Sequence, residues 1–163
     1  MLLKPHVKLN RITDIDIDLL KKEKIEALIL DVDNTLSTHH GEVLVDGLLD
    51  WLSVMQNNGI KLLILSNSKE KRVGPFANRL GLDYFSLGLK PLPFGYWKCA
   101  KKMQTKLKHT AIVGDQIFTD SLGGHLAGVK TIILNPVKPE DKWSFKLRRR
   151  IEAKLYKIYK FEV

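Results

Sequence analysis

Cysteine is almost missing from this chain. One residue, Cys99, is present among 163, and a lone thiol can neither close an internal disulfide nor build a cysteine-rich zinc site, which excludes stapled secreted scaffolds and zinc fingers. A reducing cytosol is the expected compartment. Long apolar runs are missing too. No stretch approaches the roughly eighteen residues of a spanning helix, and Met1-Leu2-Leu3-Lys4-Pro5 breaks too early to read as a signal peptide. There is no internal repeat and no low-complexity linker, so the length is read as one domain, large enough to bury a core without a staple. Acidic residues are in the minority: 18 Asp and Glu face 27 Lys and Arg, a formal net charge of +9. Nine of the basic residues and four of the acids lie in 138–163. Such a balance favours anionic partners and says nothing of fold.

Short apolar runs alternate with helical stretches, the pattern of a parallel α/β sheet. The clearest strands are 27–30, 61–65, 111–113 and 131–134, with a weaker one near 84–87. Their lack of alternation suits strands buried on both faces. Helices are expected over 48–57, stopped by Asn58-Gly59, and over 69–80, 94–107 and 118–127, the last ending at Gly128. The expected organisation is a single domain with an N-terminal extension (1–24), a core (25–136) and a basic amphipathic tail (137–163).

Three strands run into polar clusters: Leu30 into Asp31-Val32-Asp33-Asn34-Thr35, Leu65 into Ser66-Asn67-Ser68, and Val113 into Gly114-Asp115-Gln116. In open parallel sheets the ligand crevice lies outside the carboxyl ends of the strands, so these clusters should meet. Asp31 and Asp33, two residues apart at a strand end, repel each other unless a cation lies between them or one is protonated. With Asp115 arriving from another strand, the set Asp31, Asp33, Asp115 is all hard oxygen, which suits Mg²⁺. Asp31 could then act as a covalent nucleophile, with Asp33 as the acid for the leaving oxygen and the base for water. Phosphoryl transfer also needs donors and a fixed positive charge. Ser66 and Asn67 are candidate donors and Lys90 the candidate cation, against the ordinary fate of a solvated lysine. Asp120 could hold metal-bound water, pair with Lys90 or cap a helix.

These residues resemble the haloacid dehalogenase (HAD) phosphatases. Asp31-Val32-Asp33-Asn34-Thr35-Leu36 is similar to the first motif of that superfamily, Ser66 to the second, Lys90 to the third, and Gly114-Asp115 through Asp120 to the fourth, in the right order. The wording is closer to the YqeG-type branch of class IIIA, in which D-x-D-N-T-L and G-D-Q-x-x-T-D-x-x-G-G segments are typical. Where that branch usually continues with Asn-Arg, this chain has His125-Leu126. The resemblance implies a Rossmann-like core, Mg²⁺ dependence, Asp31 as nucleophile and Asp33 as acid/base. A fungal mitochondrial phosphatase acting on phosphatidylglycerophosphate is similar to this branch, which implies a lipid as one substrate.

The intervals from Asp31 to Ser66 and from Ser66 to Lys90 are too short for a cap domain. An uncapped site is open to bulky substrates, and His39, His40 and Gly41 would lie in a flap beside its entrance. In the tail, Trp143, Leu147, Ile151, Leu155 and Ile158 recur every three or four residues, predicting a helix with one apolar stripe and a basic remainder. Either the stripe packs on the domain and the lysines are solvated, or the helix sits on an anionic membrane. Nucleic acid is disfavoured, because no recognition motif accompanies the charge. Two non-catalytic readings stand beside the phosphatase: a receiver-like phosphoacceptor, in which the lysine would follow the acidic elements instead of preceding Asp115 and Asp120, and an HAD-like scaffold that binds an anionic partner through its tail. Oligomeric state is not legible.

Overall fold

The structure, a computed structural model, describes residues 2–38, 43–138 and 143–159, apart from the side chain of Phe145. The strands are β1 (Val7–Leu9), β2 (Ala27–Leu30), β3 (Lys61–Leu65), β4 (Asp83–Phe85), β5 (Thr110–Gly114) and β6 (Lys130–Leu134). The helices are α1 (Ile17–Lys22), α2 (Leu48–Asn57), α3 (Glu70–Leu80), α4 (Phe94–Lys102), α5 (Leu122–Ala127) and α6 (Trp143–Ile158). All strand pairs are parallel, in the order β1-β6-β5-β2-β3-β4. This is an α/β Rossmann-like sheet flanked by helices. Every residue of β2 and β5 is buried, as the unbroken apolar runs require of central strands.

Side-chain alternation along β2 divides the core. Leu28 and Leu30 point into one cluster with Trp51, Leu52 and Met55 of α2 and Val73, Phe76 and Ala77 of α3. Ala27 and Ile29 point into the other, with Tyr96 and Cys99 of α4 and Ala127 at the end of α5. Burial pushes the Cys99 thiol up to about 12, so this cysteine is packing and not chemistry.

Topology places the site. From β2 the chain crosses to β3 and β4 on one side, then returns to β5 and β6 on the other. The connections therefore diverge between β2 and β5, where open sheets form their ligand crevice. Between Asp31 and Ser66 the described residues form a flap, bridged between Ser37 and Leu44, then α2 and β3. Between Ser66 and Lys90 there are α3 and β4. Among the described residues neither interval holds a cap domain. His39, His40 and Gly41 lie outside the described residues.

Three expectations change. The N-terminal residues are part of the fold: β1 lies beside β6, with Val7 opposite Ile132, and Ile12, Ile15 and Leu20 are buried in the first core cluster. A three-residue strand of half-buried Val-Lys-Leu leaves too weak a pattern to read. The helix predicted to reach residue 107 stops at Lys102, because Gln104 takes a left-handed φ of 53° that a helix cannot continue through. The stretch 118–127 begins as a π-helical turn, Ile117–Ser121, before α5. Such turns widen the spiral by one residue and recur at functional sites.

Candidate active site

Asp31 leaves β2 with its N–H bonded to the Val113 carbonyl at 2.9 Å, which fixes it beside the end of β5. Lys90 reaches it from the loop after β4. The Lys90 ammonium donates to Asp31 Oδ1 at 2.6 Å and to Asp120 Oδ1 at 2.7 Å, with all three residues buried. Burial disfavours the charged lysine, but the carboxylates of Asp120 and Asp31 outweigh it and hold Lys90 protonated. The backbone around Lys90 is clamped by Asn67, whose Oδ1 accepts from Lys90 N at 2.7 Å while its Nδ2 donates to Lys90 O at 3.0 Å. Both ends of the Asn67 amide, expected as a substrate donor through its side chain or backbone, are thus engaged with the Lys90 backbone. Ser66 is buried beside it, with Oγ accepting from Ser68 N at 3.1 Å.

The acidic residues divide into two groups. One carboxylate oxygen from each of Asp31, Asp115 and Asp120 lies within 4.8 Å of the others. Asp33, expected among the metal ligands, stands outside this set, its carboxylate paired with Arg72 of α3. Asp120, expected in support, is inside it. Its second oxygen accepts from Gln116 N at 3.2 Å. Gly114 makes that placement possible: a Cβ there would collide with the Asp120 side chain. Gly123 lies against the Tyr96 ring in the same way, and Tyr96 Oη donates to the Thr119 carbonyl at 2.8 Å, holding the π-helical turn. Gly114 and Gly123 of the G-D-Q-x-x-T-D-x-x-G-G segment are thus packing requirements of Asp120 and its turn, while Gly124 lies against Ile112 and Thr131 of the sheet.

Asp115 is held by a residue that the motifs did not point to. Arg149 of α6 donates to the Asp115 carboxylate and, at 2.7 Å, to its backbone carbonyl, while Glu152 accepts from the same guanidinium at 2.9 Å. Glu152 in turn accepts from Ile117 N at 2.9 Å. The one readable signal was Glu152 itself, the single acid inside a basic helix, at i+3 from an arginine. Arg72 offered none beyond lying one turn into the helix that follows Ser66.

Three buried carboxylates, Asp31, Asp115 and Asp120, face two cations, Lys90 and Arg149. Burial, only partly offset by Lys90, and the neighbouring carboxylates raise Asp31 to about 7. Burial likewise raises Asp115, against the pull of Arg149. Asp115 Oδ1 is buried with no hydrogen-bond partner among the described residues. An all-oxygen donor set, more carboxyl groups than cations and an orphaned carboxylate oxygen together fit a hard divalent cation.

The matching family model is that of the haloacid dehalogenase-like hydrolases, over residues 6–128; the chain belongs to this family. It is 31% identical to the probable phosphatase YqeG of Bacillus subtilis (strain 168) over 141 residues, 86% of this chain and 82% of that protein. Among solved structures it is similar to a 4-nitrophenylphosphatase from Thermotoga maritima (TM-score 0.61, 13% identity, 73% of this chain and 89% of that one). It also resembles a cobalt-bound deoxy-D-mannose-octulosonate 8-phosphate phosphatase from Haemophilus influenzae (TM-score 0.53, 18% identity, 84% and 90%). At these identities the structural likenesses speak for the fold. The family and the YqeG relative make the protein a phosphatase of the HAD superfamily.

Proposed function

We propose that the protein is a Mg²⁺-dependent phosphomonoesterase that works through an aspartyl-phosphate on Asp31. The observation that carries this reading is the buried Asp31–Lys90–Asp120 bridge with Asp115 beside it, three carboxylate oxygens within 4.8 Å of one another. In the first step a carboxylate oxygen of Asp31 attacks phosphorus, the ester P–O bond breaks, and the leaving oxygen takes a proton from Asp33. In the second, Asp33 takes a proton from water, whose oxygen attacks the aspartyl-phosphate and releases phosphate. Arg72 keeps the Asp33 carboxylate oriented. Lys90 and the donors around Ser66 meet the charge spread over the transferred oxygens. Asp31, Asp115 and Asp120 would hold the Mg²⁺, which when bound screens carboxylate from phosphate.

For the substrate we infer a bulky phosphate ester, with a glycerophospholipid phosphate such as phosphatidylglycerophosphate the favoured case. Leu87, Leu89, Leu92 and Phe94, on either side of Lys90 in sequence, are 48–62% exposed. Exposed apolar side chains flanking Lys90 in the chain suit acyl chains better than a sugar or nucleotide. The test is hydrolysis of phosphatidylglycerophosphate, nucleotides, sugar phosphates and phosphopeptides with and without Mg²⁺. Preference for the lipid supports the reading, and equal turnover of the soluble esters contradicts the substrate while leaving the chemistry standing.

A further inference from the structure

Helix α6 is seated the opposite way from an ordinary surface helix. An amphipathic helix normally buries its apolar stripe and solvates its charges. Here much of the inward face is charged: Arg149 holds Asp115, Glu152 is buried against Ile117 N, and Tyr156, packed with Ile117 and Ile133, lies under Lys8, whose ammonium is 5.2 Å from the ring centroid. Of the expected stripe only Leu155 packs inward, beside Ile117, Ile133 and Tyr156; the other four residues face out. Trp143, Leu147, Ile151 and Ile158 are 75, 43, 44 and 70% exposed. Flanking them on the same side are Lys146, Arg150, Lys154 and Lys157, all exposed. The only acid between Trp143 and Ile158 is the inward-facing Glu152.

We infer that the outer face of α6 is a docking surface for an anionic lipid bilayer. An apolar ridge bordered by cations matches a membrane interface in both parts: the ridge enters the headgroup and acyl boundary, and the cations meet anionic headgroups. A second copy of the chain fits less well, since a two-fold contact through this face would set the four cations against themselves. Nucleic acid would use the cations and leave the apolar ridge without a partner. Because the same helix holds Asp115 from its inner side, docking places the crevice at the membrane surface. That consequence rests on the lipid-substrate reading above; the docking itself does not.

The full chain should be mixed with vesicles of phosphatidylcholine alone and with vesicles containing about one third phosphatidylglycerol, and floated on a density gradient. Flotation with the anionic vesicles, loss of it at high salt, and at least about a tenfold loss in the double variant Leu147→Glu/Ile151→Glu are expected. Hydrolysis of soluble p-nitrophenyl phosphate by that variant should be unchanged, which shows the fold intact and separates this proposal from the phosphatase reading. Failure of the native chain to float, equal flotation of the variant, or equal binding to neutral vesicles overturns the proposal. So does a dimer that Ile151→Glu dissociates, which would assign the face to a second copy.

Discussion

Arg149 bonds both the carboxylate and the backbone carbonyl of Asp115, so the last helix of the chain is tied directly to the acidic crevice at the end of β5. Breaking a buried pair by removing one partner is costly because the other charge stays behind. Partial exposure of the Arg149 side chain, 23%, tempers this. Arg149→Met should therefore lower stability by about 2 kcal/mol without metal, and Mg²⁺ should restore a larger share of it than it adds to the native chain. Thermal unfolding of both proteins with and without Mg²⁺ checks this; equal Mg²⁺ effects would show that Arg149 does not neutralise the cation site.

The pH dependence follows from Asp31. Its carboxyl is raised from 3.8 to about 7 by burial and by Asp120 and Asp33. The folded state thus holds a proton that the unfolded state has already lost, and stability without metal falls as the pH rises from about 4 through 7. A divalent ion favours the ionised form and competes with that proton. The stabilisation given by Mg²⁺ should therefore grow from pH 5.5 to pH 8. Scanning calorimetry at the two values decides it, and a shift that is flat or shrinks with pH contradicts a Mg²⁺ site at Asp31.

Gly114→Ala is a small change in a tight place. The new methyl would meet the Asp120 side chain, and the buried strand offers little room to yield. The expected cost is about 1–3 kcal/mol in urea denaturation, with turnover reduced more than stability accounts for, because Asp120 also holds Lys90. A variant with native stability and native turnover would show that Asp120 can stand elsewhere.

Leu87 and Leu89 take left-handed φ angles of 48° and 53°, a conformation that leucine rarely adopts, while both side chains stay exposed. The geometry turns Lys90 inward and the leucines outward. Leu89→Ser should leave hydrolysis of p-nitrophenyl phosphate within about twofold while reducing turnover of a phospholipid phosphate in vesicles several-fold. Equal losses on both substrates would make the loop a support for Lys90 only.

Sheet, helices and the β2, β3 and β5 clusters were legible because each is a local signal: an apolar run, a glycine stop, a polar cluster after a strand. Asp31, Ser66, Lys90, Asp115 and Asp120 follow from those signals once parallel topology brings strand ends together. What was not legible is pairing across the chain. Arg149 is one of three consecutive arginines, and only the packing of α6 distinguishes it from its neighbours. Asp33 stands outside the oxygen cluster, paired with Arg72, and that pairing spans 39 positions. The outward stripe of α6 was visible as a pattern, but its direction was not, because periodicity defines two faces without saying which meets the core.

The most direct test is turnover by Asp31→Asn. The substitution keeps the size of the side chain and a hydrogen-bond acceptor for Lys90 but removes the attacking carboxylate. With p-nitrophenyl phosphate and Mg²⁺, kcat/KM should fall by at least about a thousandfold while the protein remains folded by thermal unfolding. A folded Asp31→Asn protein that hydrolyses the ester at the native rate would contradict covalent catalysis by Asp31.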